Sequence, residues 1–146
     1  MRDIPNLQDP KAHLMRHAPD DAVLYFSPAT LQATARRFLA GFDGLVTYAV
    51  KANPGEEVLG NLVAAGIRAF DVASPREMYA VRATCPDATL HYNNPVRTPE
   101  EVAVAVRLGV ASYSVDCPRE LDKLASVPRG TEVSVRLALP VKGAPM

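Results

Sequence analysis

The hydrophobic and polar residues of this 146-residue chain are arranged in blocks of two kinds. Short runs of β-branched and aromatic residues, typical of strands, are separated by segments with apolar residues at helical spacing, such as Val58-Leu59-Leu62-Val63. The strand-like runs are 22–26, 45–50, 67–72, 88–92, 110–115 and 132–137. The last five recur at intervals of about 22 residues, the length of a short βα unit. The pattern therefore predicts parallel strands that alternate with helices.

The predicted helix starts share one sequence pattern. A proline stands at the first helical position, a glutamate follows two residues later, and in three cases a good N-cap residue precedes the proline. The four starts are Asn53-Pro54-Gly55-Glu56, Ser74-Pro75-Arg76-Glu77, Thr98-Pro99-Glu100-Glu101 and Cys117-Pro118-Arg119-Glu120. A further helix is predicted over 29–41, ending at Gly41. Most of the 13 prolines therefore mark helix boundaries.

An internal repeat indicates the fold class. Residues 65–77 match residues 108–120 at an offset of two βα units. Parallel strands joined by helices form either a doubly wound open sheet or a closed barrel. The regular spacing, without a glycine-rich phosphate motif after the first strand, favours an α/β fold of the (β/α)8 TIM-type barrel kind. Such a barrel takes eight units and about 250 residues, so we expect only its incomplete N-terminal part here.

The predicted domain organisation has two parts. Residues 1–27, a polar lead-in and the strand 22–26, are expected to belong with a second, β-rich domain. Residues 28–146 are expected to form the first part of the barrel. The last residues, 141–146, show no natural stop signal, which predicts a longer protein.

Composition narrows the function classes. The 16 basic and 16 acidic residues give no net charge, so no nucleic-acid partner is predicted. The sequence has no apolar run of membrane-spanning length and no signal-peptide core in its first ten residues, which favours a cytoplasmic protein. Cys85 and Cys117 form neither a disulfide framework nor a metal-ligand spacing. The three histidines are not clustered with them, so no metal site is predicted.

Lys51 is the candidate reactive residue. It ends the most strand-like run, 45–50, which is predicted to be buried on both faces. The chain has four lysines and twelve arginines, so a lysine here is not explained by solubility. One interpretation is a lysine that extends from a strand end into solvent. The other is an amine in a partly desolvated site that acts as a Schiff-base nucleophile.

Further polar residues are expected to lie at the same edge of the barrel. Active sites of such barrels gather at the carboxyl ends of the strands. Asp71, Asn93, Asn94, Ser114 and Asp116 follow or end the predicted strands, and Arg136 is predicted to be buried within the fifth. An amine, a carboxylate and a buried guanidinium from separate strands point to a site.

Four motifs carry a resemblance to a known family. They are Tyr48-Ala49-Val50-Lys51-Ala52-Asn53, Phe70-Asp71-Val72-Ala73-Ser74 with Glu77, Asn94-Pro95 and Val135-Arg136-Leu137. In order and spacing, over residues 22–140, they resemble the N-terminal barrel of the fold-type III pyridoxal-phosphate decarboxylases. That family includes ornithine, diaminopimelate and biosynthetic arginine decarboxylases, with a barrel of the alanine racemase/ornithine decarboxylase kind.

The resemblance implies roles for individual residues. Lys51 would carry pyridoxal 5'-phosphate as a Schiff base, Asp71 and Glu77 would form an acidic pair beside it, and Arg136 would lie beneath the cofactor ring. Ala49 and Asn94 are further possible cofactor-binding residues. Glu77 equally fits a helix cap, since the repeat has Glu120 in its place. Arg136 equally fits a buried ion pair with one of the acids.

The implied activity is decarboxylation of a basic L-amino acid, ornithine or lysine first, in polyamine biosynthesis. The family implies a homodimer whose phosphate loop, ring-nitrogen acid, stacked histidine and cross-dimer cysteine would follow residue 146. Residues 1–146 alone are therefore expected to be inactive. The alternatives are a diaminopimelate decarboxylase, a non-catalytic regulator like the antizyme inhibitors, and a racemase or pyridoxal-phosphate carrier on the same barrel.

Overall fold

The computed structural model describes residues 9–137. Residues 1–8 of the predicted lead-in and the chain end at 141–146 lie outside the described residues. The helices are α1 Pro10–His17, α2 Pro28–Gly41, α3 Glu56–Ala65, α4 Pro75–Thr84, α5 Pro99–Arg107 and α6 Pro118–Asp122. The strands are β1 Thr47–Ala49, β2 Ala69–Val72, β3 Thr89–Tyr92, β4 Ser112–Val115 and β5 Glu132–Val135, with 3-10 turns at Val50–Ala52 and Lys123–Ser126.

The five strands form one parallel sheet in the order β1-β2-β3-β4-β5. Consecutive helices from α2 to α5 pack against one another. A doubly wound sheet reverses its strand order at a switch point, and no reversal occurs among the strands within residues 9–137. The predicted α/β fold class is therefore confirmed, as part of a barrel with five strands, the first four of which are followed by helices within the described residues.

The sheet has one apolar and one polar face. The apolar face belongs to the core that the helices cover. It includes Tyr48, Phe70, Leu90, Tyr113 and Val133, which the strand register places on one side of the sheet. The opposite face, which we call the polar face, carries Thr47, Ala49, Ala69, Asp71, Thr89, His91, Ser112, Ser114, Glu132 and Ser134. The prediction that 45–50 is buried on both faces is wrong, because Thr47 is exposed and helices cover only the other face.

The helix starts agree with the sequence pattern at α4, α5 and α6, each of which begins at its proline. The prediction is wrong for α3, which begins at Glu56. There the Asn53 side chain accepts a hydrogen bond from the Gly55 N–H at 3.0 Å and keeps the chain in a turn past Pro54. Glu120 does not cap α6 as the repeat suggested, because its carboxylate binds Lys123 Nζ at 2.6 Å instead.

The segment before α2 differs from the prediction. Helix α1 lies within the polar lead-in and is capped by Asp9, which accepts from the Lys11 N–H at 2.9 Å. Residues 22–26 form no strand, because no residue of the described part pairs with them in a ladder. His13 Nδ1 lies 2.7 Å from the Tyr25 hydroxyl and joins this segment to α1. The assignment of residues 1–27 to a second domain stays a prediction.

The core lies between the sheet and the helices. Its largest fully buried side chains include Tyr92, Tyr113, Phe70, Leu59 and Met78. Burying a side chain of this size contributes about 1.5–3 kcal/mol each relative to leaving it exposed. Within residues 9–137, no helix is long and apolar enough to cross a membrane.

Candidate functional site

Lys51 lies at the carboxyl end of β1, in the 3-10 turn Val50–Ala52. Val50 is fully buried and anchors this turn, and the Tyr48 hydroxyl donates to the Asn53 carbonyl oxygen at 3.3 Å on its far side. Lys51 is exposed and forms no ion pair with any described residue. In the described part β1 is an edge strand, and the exposed amine matches the interpretation of a lysine that extends from a strand end; the partly desolvated amine stays a prediction.

Asp71 stands on the polar face of β2, level with Ala49 on β1 and His91 on β3. The residue is half-buried, and its Oδ1 is shielded from solvent without a hydrogen-bond partner among the described residues. A buried carboxylate oxygen without a partner is costly. This atom therefore marks a place where a donor group is expected.

Glu77 has the geometry of a helix cap. Its Oε2 accepts a hydrogen bond from the Ala73 N–H at 2.8 Å, and its own N–H donates to Ser74 Oγ at 3.4 Å. These two bonds give hydrogen-bond partners to the backbone N–H groups of Ala73 and Glu77 at the start of α4. The geometry supports the cap interpretation, and a role of Glu77 towards the cofactor stays a prediction.

Asn94 connects the loops that follow β2 and β3. Its Nδ2 donates to the Ala73 carbonyl oxygen at 3.2 Å, and its Oδ1 accepts from the Val96 N–H at 3.3 Å. The second bond is the turn that an Asn-Pro sequence favours. Asn94 therefore shapes the edge of the site as a turn former.

Arg136 is exposed and lies one residue beyond β5, so the prediction of a buried guanidinium inside the fifth strand is wrong. Its backbone N–H still donates to the Val115 carbonyl oxygen at 2.7 Å. Its Nη2 donates to the Asn93 carbonyl oxygen at 2.5 Å, and Ser114 Oγ donates to the same oxygen at 2.8 Å. The guanidinium thus contacts a carbonyl group of the rim and forms no ion pair with an acid among the described residues.

The structure brings most of the predicted residues to one rim of the sheet. Hydrogen bonds join the ends of β2 and β3 through Asn94, and the ends of β3, β4 and β5 through the Asn93 carbonyl. Lys51 lies at the same edge in the turn after β1, outside this hydrogen-bonded set. The five strands therefore deliver one amine, one carboxylate and one guanidinium to a common edge.

Arg97 is a rim residue that sequence reasoning missed. Only 2% of it is exposed, and its guanidinium carbon lies 5.0 Å and 5.6 Å from the ring centroids of Tyr92 and Tyr113. It donates to the backbone oxygens of Ser114 and Pro95. Burial lowers the pKa of this guanidinium and raises the pKa of both tyrosines, that of Tyr92 to about 12. Through these hydrogen bonds, Arg97 links the loop after β3 to the end of β4.

His91 is the second residue that sequence reasoning missed. It lies on the polar face, and its Nδ1 is 2.7 Å from Ser112 Oγ. The sequence did contain a signal for this position. Polar and apolar residues alternate along β3, in the order Thr89, Leu90, His91 and Tyr92, so His91 is expected on the same face as Thr89.

The residues present fit pyridoxal phosphate at its reactive end. An accessible primary amine at Lys51 is the group that an aldehyde requires, and the unpartnered Asp71 oxygen offers an acceptor on the neighbouring strand. Arg136 adds free guanidinium donors at the same edge.

Comparison with known proteins agrees with this fit. The family described as "Pyridoxal-dependent decarboxylase, pyridoxal binding domain" matches residues 29–145. A lysine/ornithine decarboxylase of Selenomonas ruminantium is 38% identical over 95 residues, which is 64% of this chain and 24% of that protein. A diaminopimelate decarboxylase of Zymomonas mobilis is 31% identical over 108 residues, which is 70% of this chain and 26% of that protein.

A solved structure of SrLDC in complex with PLP and cadaverine is 28% identical, with a TM-score of 0.71 over 99% of this chain and 38% of that chain. The present chain thus spans about a quarter of the length of these curated relatives. Because the family matches most of the chain, the chain belongs to the pyridoxal-dependent decarboxylases, carries part of their pyridoxal-binding domain, and has pyridoxal phosphate as its cofactor.

Proposed function

We propose that the protein containing this chain decarboxylates a basic L-amino acid, lysine or ornithine in the first place. Family membership supports the reaction type, and the most identical of the relatives described above is a lysine/ornithine decarboxylase. The SrLDC structure holds cadaverine, the diamine that remains when lysine loses its carboxyl group. The substrate class is therefore inferred from these relatives.

The observation that carries the proposal is the position of Lys51. Its amine is exposed in the turn after β1, at the carboxyl edge of the sheet, and is not engaged by an acid of the described residues. Lys51 would hold the cofactor through Nζ, with Asp71 and Arg136 as charged candidates on the same rim. When bound, pyridoxal phosphate supplies the electron sink that makes loss of carbon dioxide from an amino acid feasible.

The residues of the chain then have separate tasks. The Nζ of Lys51 would hold or move a proton beside the substrate when it is not attached to the cofactor. Asp71 offers a carboxylate to positively charged groups near that amine. Arg136, oriented by the Asn93 carbonyl, offers donors to anionic groups. Ala49 stands level with Asp71 on β1 and leaves space between them because its side chain is small.

A second candidate substrate is diaminopimelate, because the relative from Zymomonas mobilis is a diaminopimelate decarboxylase. Diaminopimelate differs from lysine by a second carboxylate at the far end of the molecule. A protein that accepts it needs a cationic partner for that carboxylate, whereas a lysine or ornithine decarboxylase needs an anionic or polar partner for an amine. A non-catalytic regulator and a racemase are less well supported, since Lys51 is retained in a decarboxylase domain.

The wider assignments are proposals of the same kind. We place the protein in the cytoplasm as a homodimer that takes part in polyamine biosynthesis, with residues 1–27 contributing to a second domain. A dimer is testable by light scattering of the whole protein. A role in polyamine biosynthesis requires that lysine or ornithine be the preferred substrate.

Covalent trapping tests the proposed attachment site. The protein is mixed with pyridoxal phosphate, reduced with borohydride and mapped by peptide mass spectrometry. We expect the pyridoxyl group on Lys51 and its loss in Lys51→Ala, while Lys11→Ala, a change at an exposed lysine of α1, serves as the matched control. A pyridoxyl group on another lysine, or none, would overturn the assignment.

Substrate competition tests the reaction. Release of carbon dioxide by the whole protein is measured with lysine, ornithine, arginine and diaminopimelate at equal concentrations. We expect the highest kcat/KM with lysine or ornithine, and no release in Lys51→Ala. A clear preference for diaminopimelate would establish the second candidate instead.

A further inference from the structure

His91 and Asp71 are neighbours across the β2–β3 pair, and each has a buried side-chain atom without a partner. Their positions are paired in register, so both side chains stand on the polar face. Oδ1 of Asp71 and Nε2 of His91 are each shielded from solvent and have no hydrogen-bond partner among the described residues. Such atoms are rare, because each has lost its hydrogen bonds to water. Two of them on facing residues indicate a common cause.

The orientation of His91 is set from β4. Its Nδ1 lies 2.7 Å from Ser112 Oγ, and Ser112 is its partner in the β3–β4 register. The two nitrogens of an imidazole ring point away from each other. With Nδ1 held by β4, Nε2 is directed to the side on which β2 lies, and Asp71 is the β2 residue at that height.

The strand spacing allows a direct contact. Neighbouring strands lie about 4.8 Å apart, and the terminal torsions of aspartate and histidine side chains are broad. This spacing puts a hydrogen bond between Oδ1 and Nε2 within reach of the two side chains.

Chemistry decides which atom carries the proton. An ionised carboxylate only accepts hydrogen bonds, so Nε2 must donate. In the neutral ring Nδ1 is then an acceptor, and the Ser112 hydroxyl is the donor to it. One protonation pattern thus satisfies the hydroxyl, both ring nitrogens and the carboxylate.

We propose that His91 is a positioning residue that holds the Asp71 carboxylate through Nε2, with Ser112 fixing the ring. The inference rests on the proposed function in one respect, namely that Asp71 acts beside Lys51. A fixed carboxylate at the height of Ala49 stands next to the strand that leads into Lys51. His91 acts only through Asp71 and is assigned no contact with the substrate.

The protonation pattern is tested by nitrogen NMR of the histidine rings. The chain has three histidines, so His13 and His17 are internal controls. At alkaline pH, where imidazole is neutral, we expect wild-type His91 to carry its proton on Nε2. Asp71→Asn should shift the Nε2 resonance of His91, and Ser112→Ala should admit the other tautomer. A proton on Nδ1 in the wild type, or no response to Asp71→Asn, would overturn the inference.

Trapping kinetics provide the second readout. His91→Leu should slow attachment of pyridoxal phosphate to Lys51 by about tenfold, the effect of losing one hydrogen bond to a charged group. His91→Gln should stay within about twofold, because its amide donates to the carboxylate as Nε2 does. Thr89→Val, on the same strand and face, is the matched control.

The two readouts separate the failure of this inference from failure of the proposed function. If wild-type Lys51 takes no cofactor, the proposed attachment site fails, and the NMR result alone decides whether His91 holds Asp71. If Lys51 reacts normally and His91→Gln is as slow as His91→Leu, the positioning role fails while the attachment site stands.

Discussion

Arg82 on α4 donates two hydrogen bonds to the carbonyl oxygen of Leu108, from Nε at 3.1 Å and from Nη2 at 2.7 Å. Its Nη1 donates to the carbonyl oxygens of Pro86 and Ala88 in the loop that follows α4. One guanidinium thus joins the loop before β3 to the end of α5. Its five donors in a fixed plane suit this task, which a lysine does not reproduce.

Arg82→Met is therefore expected to destabilise the fold. The variant leaves three carbonyl groups without a donor, and we expect the free energy of unfolding to fall by about 2 kcal/mol. Urea denaturation followed by circular dichroism measures this change. Arg76→Met, an exposed arginine of the same helix, is the control and should change stability by less than about 0.5 kcal/mol. Equal effects of the two variants would contradict the prediction.

Substitutions at Asp71 and Glu77 should have different effects, because Asp71 is proposed as a site residue and Glu77 as a helix cap. Asp71→Asn is expected to impair cofactor trapping at Lys51 severely with little loss of stability, since asparagine has nearly the same volume and its amide oxygen still accepts a hydrogen bond. Glu77→Gln should lower the free energy of unfolding by about 1 kcal/mol and leave trapping nearly unchanged, because it weakens only the cap at Ala73.

Glu101→Gln is the matched control for that comparison. Glu101 completes the capping box of α5, where its Oε2 accepts from the Thr98 N–H at 2.8 Å. Its loss should resemble that of Glu77→Gln in denaturation and in trapping. Similar, large losses of trapping for Asp71→Asn and Glu77→Gln would show that Glu77 also serves the cofactor.

Tyr92 should make the fold sensitive to alkaline pH. Burial raises the pKa of Tyr92 to about 12 in the folded chain, above the ordinary value of about 10. The unfolded chain therefore loses this proton first, so the contribution is complete below about pH 10 and is lost as pH rises towards 12. Tyr92→Phe removes this contribution, while the raised pKa of Tyr113 remains.

Tyr92→Phe should also be tolerated at neutral pH, because the Tyr92 hydroxyl is buried without a partner in the described part of the chain. We expect the free energy of unfolding at pH 7 to be unchanged or raised by up to about 1 kcal/mol. Urea midpoints between pH 9 and 12 should fall less steeply than in the wild type. An identical decline in both proteins would contradict the assignment to Tyr92.

Residues 1–146 on their own are expected to release no carbon dioxide from lysine, ornithine, arginine or diaminopimelate. The described strands leave β1 and β5 as unpaired edges, and Lys51 is exposed beside one of them. Without an enclosed, water-free site the reaction lacks electrostatic support. Turnover comparable to that of a full-length relative, measured under the same conditions, would contradict this prediction.

The βα repeat was predictable because each unit is specified locally. Strand runs of β-branched residues and prolines at helix starts depend on neighbours in sequence, and α4, α5 and α6 begin where the pattern placed them. The errors had one local cause and one longer-range cause. Asn53 delays the start of α3 through its own turn, and residues 22–26 form no strand because strands need a partner.

The two faces of the sheet were also encoded but were misread. Strands β3, β4 and β5 alternate polar and apolar residues strictly, which predicts one polar face. The expectation that the run 45–50 is buried on both faces left this signal unused. For the same reason His91 was not recognised, and the open face of the sheet proved to be lined by Asp71, His91, Ser112 and other polar or small residues.

The candidate site was only partly predictable. The sequence located Lys51, Asp71 and Asn94 at strand ends, since order along the chain fixes which residues follow each strand. It could not give the burial of Arg97 or the exposure of Arg136, because both depend on side-chain packing between strands. The cap formed by Glu77 was one of two open interpretations, and only its contact with Ala73 distinguished them.

The internal repeat and the strand register differ by a small, regular step. The repeat equates Asp71 with Ser114, whereas hydrogen bonding places Asp71 level with Ser112, two residues earlier and two strands away. Residues that are equivalent in the repeat are therefore displaced along the strand direction by one residue for each strand crossed. Continued around eight strands, this displacement amounts to about eight residues, which is the shear number of a (β/α)8 barrel with strands tilted by about 36°. The helical pitch needed to close such a cylinder is thus already set within the first units of the chain.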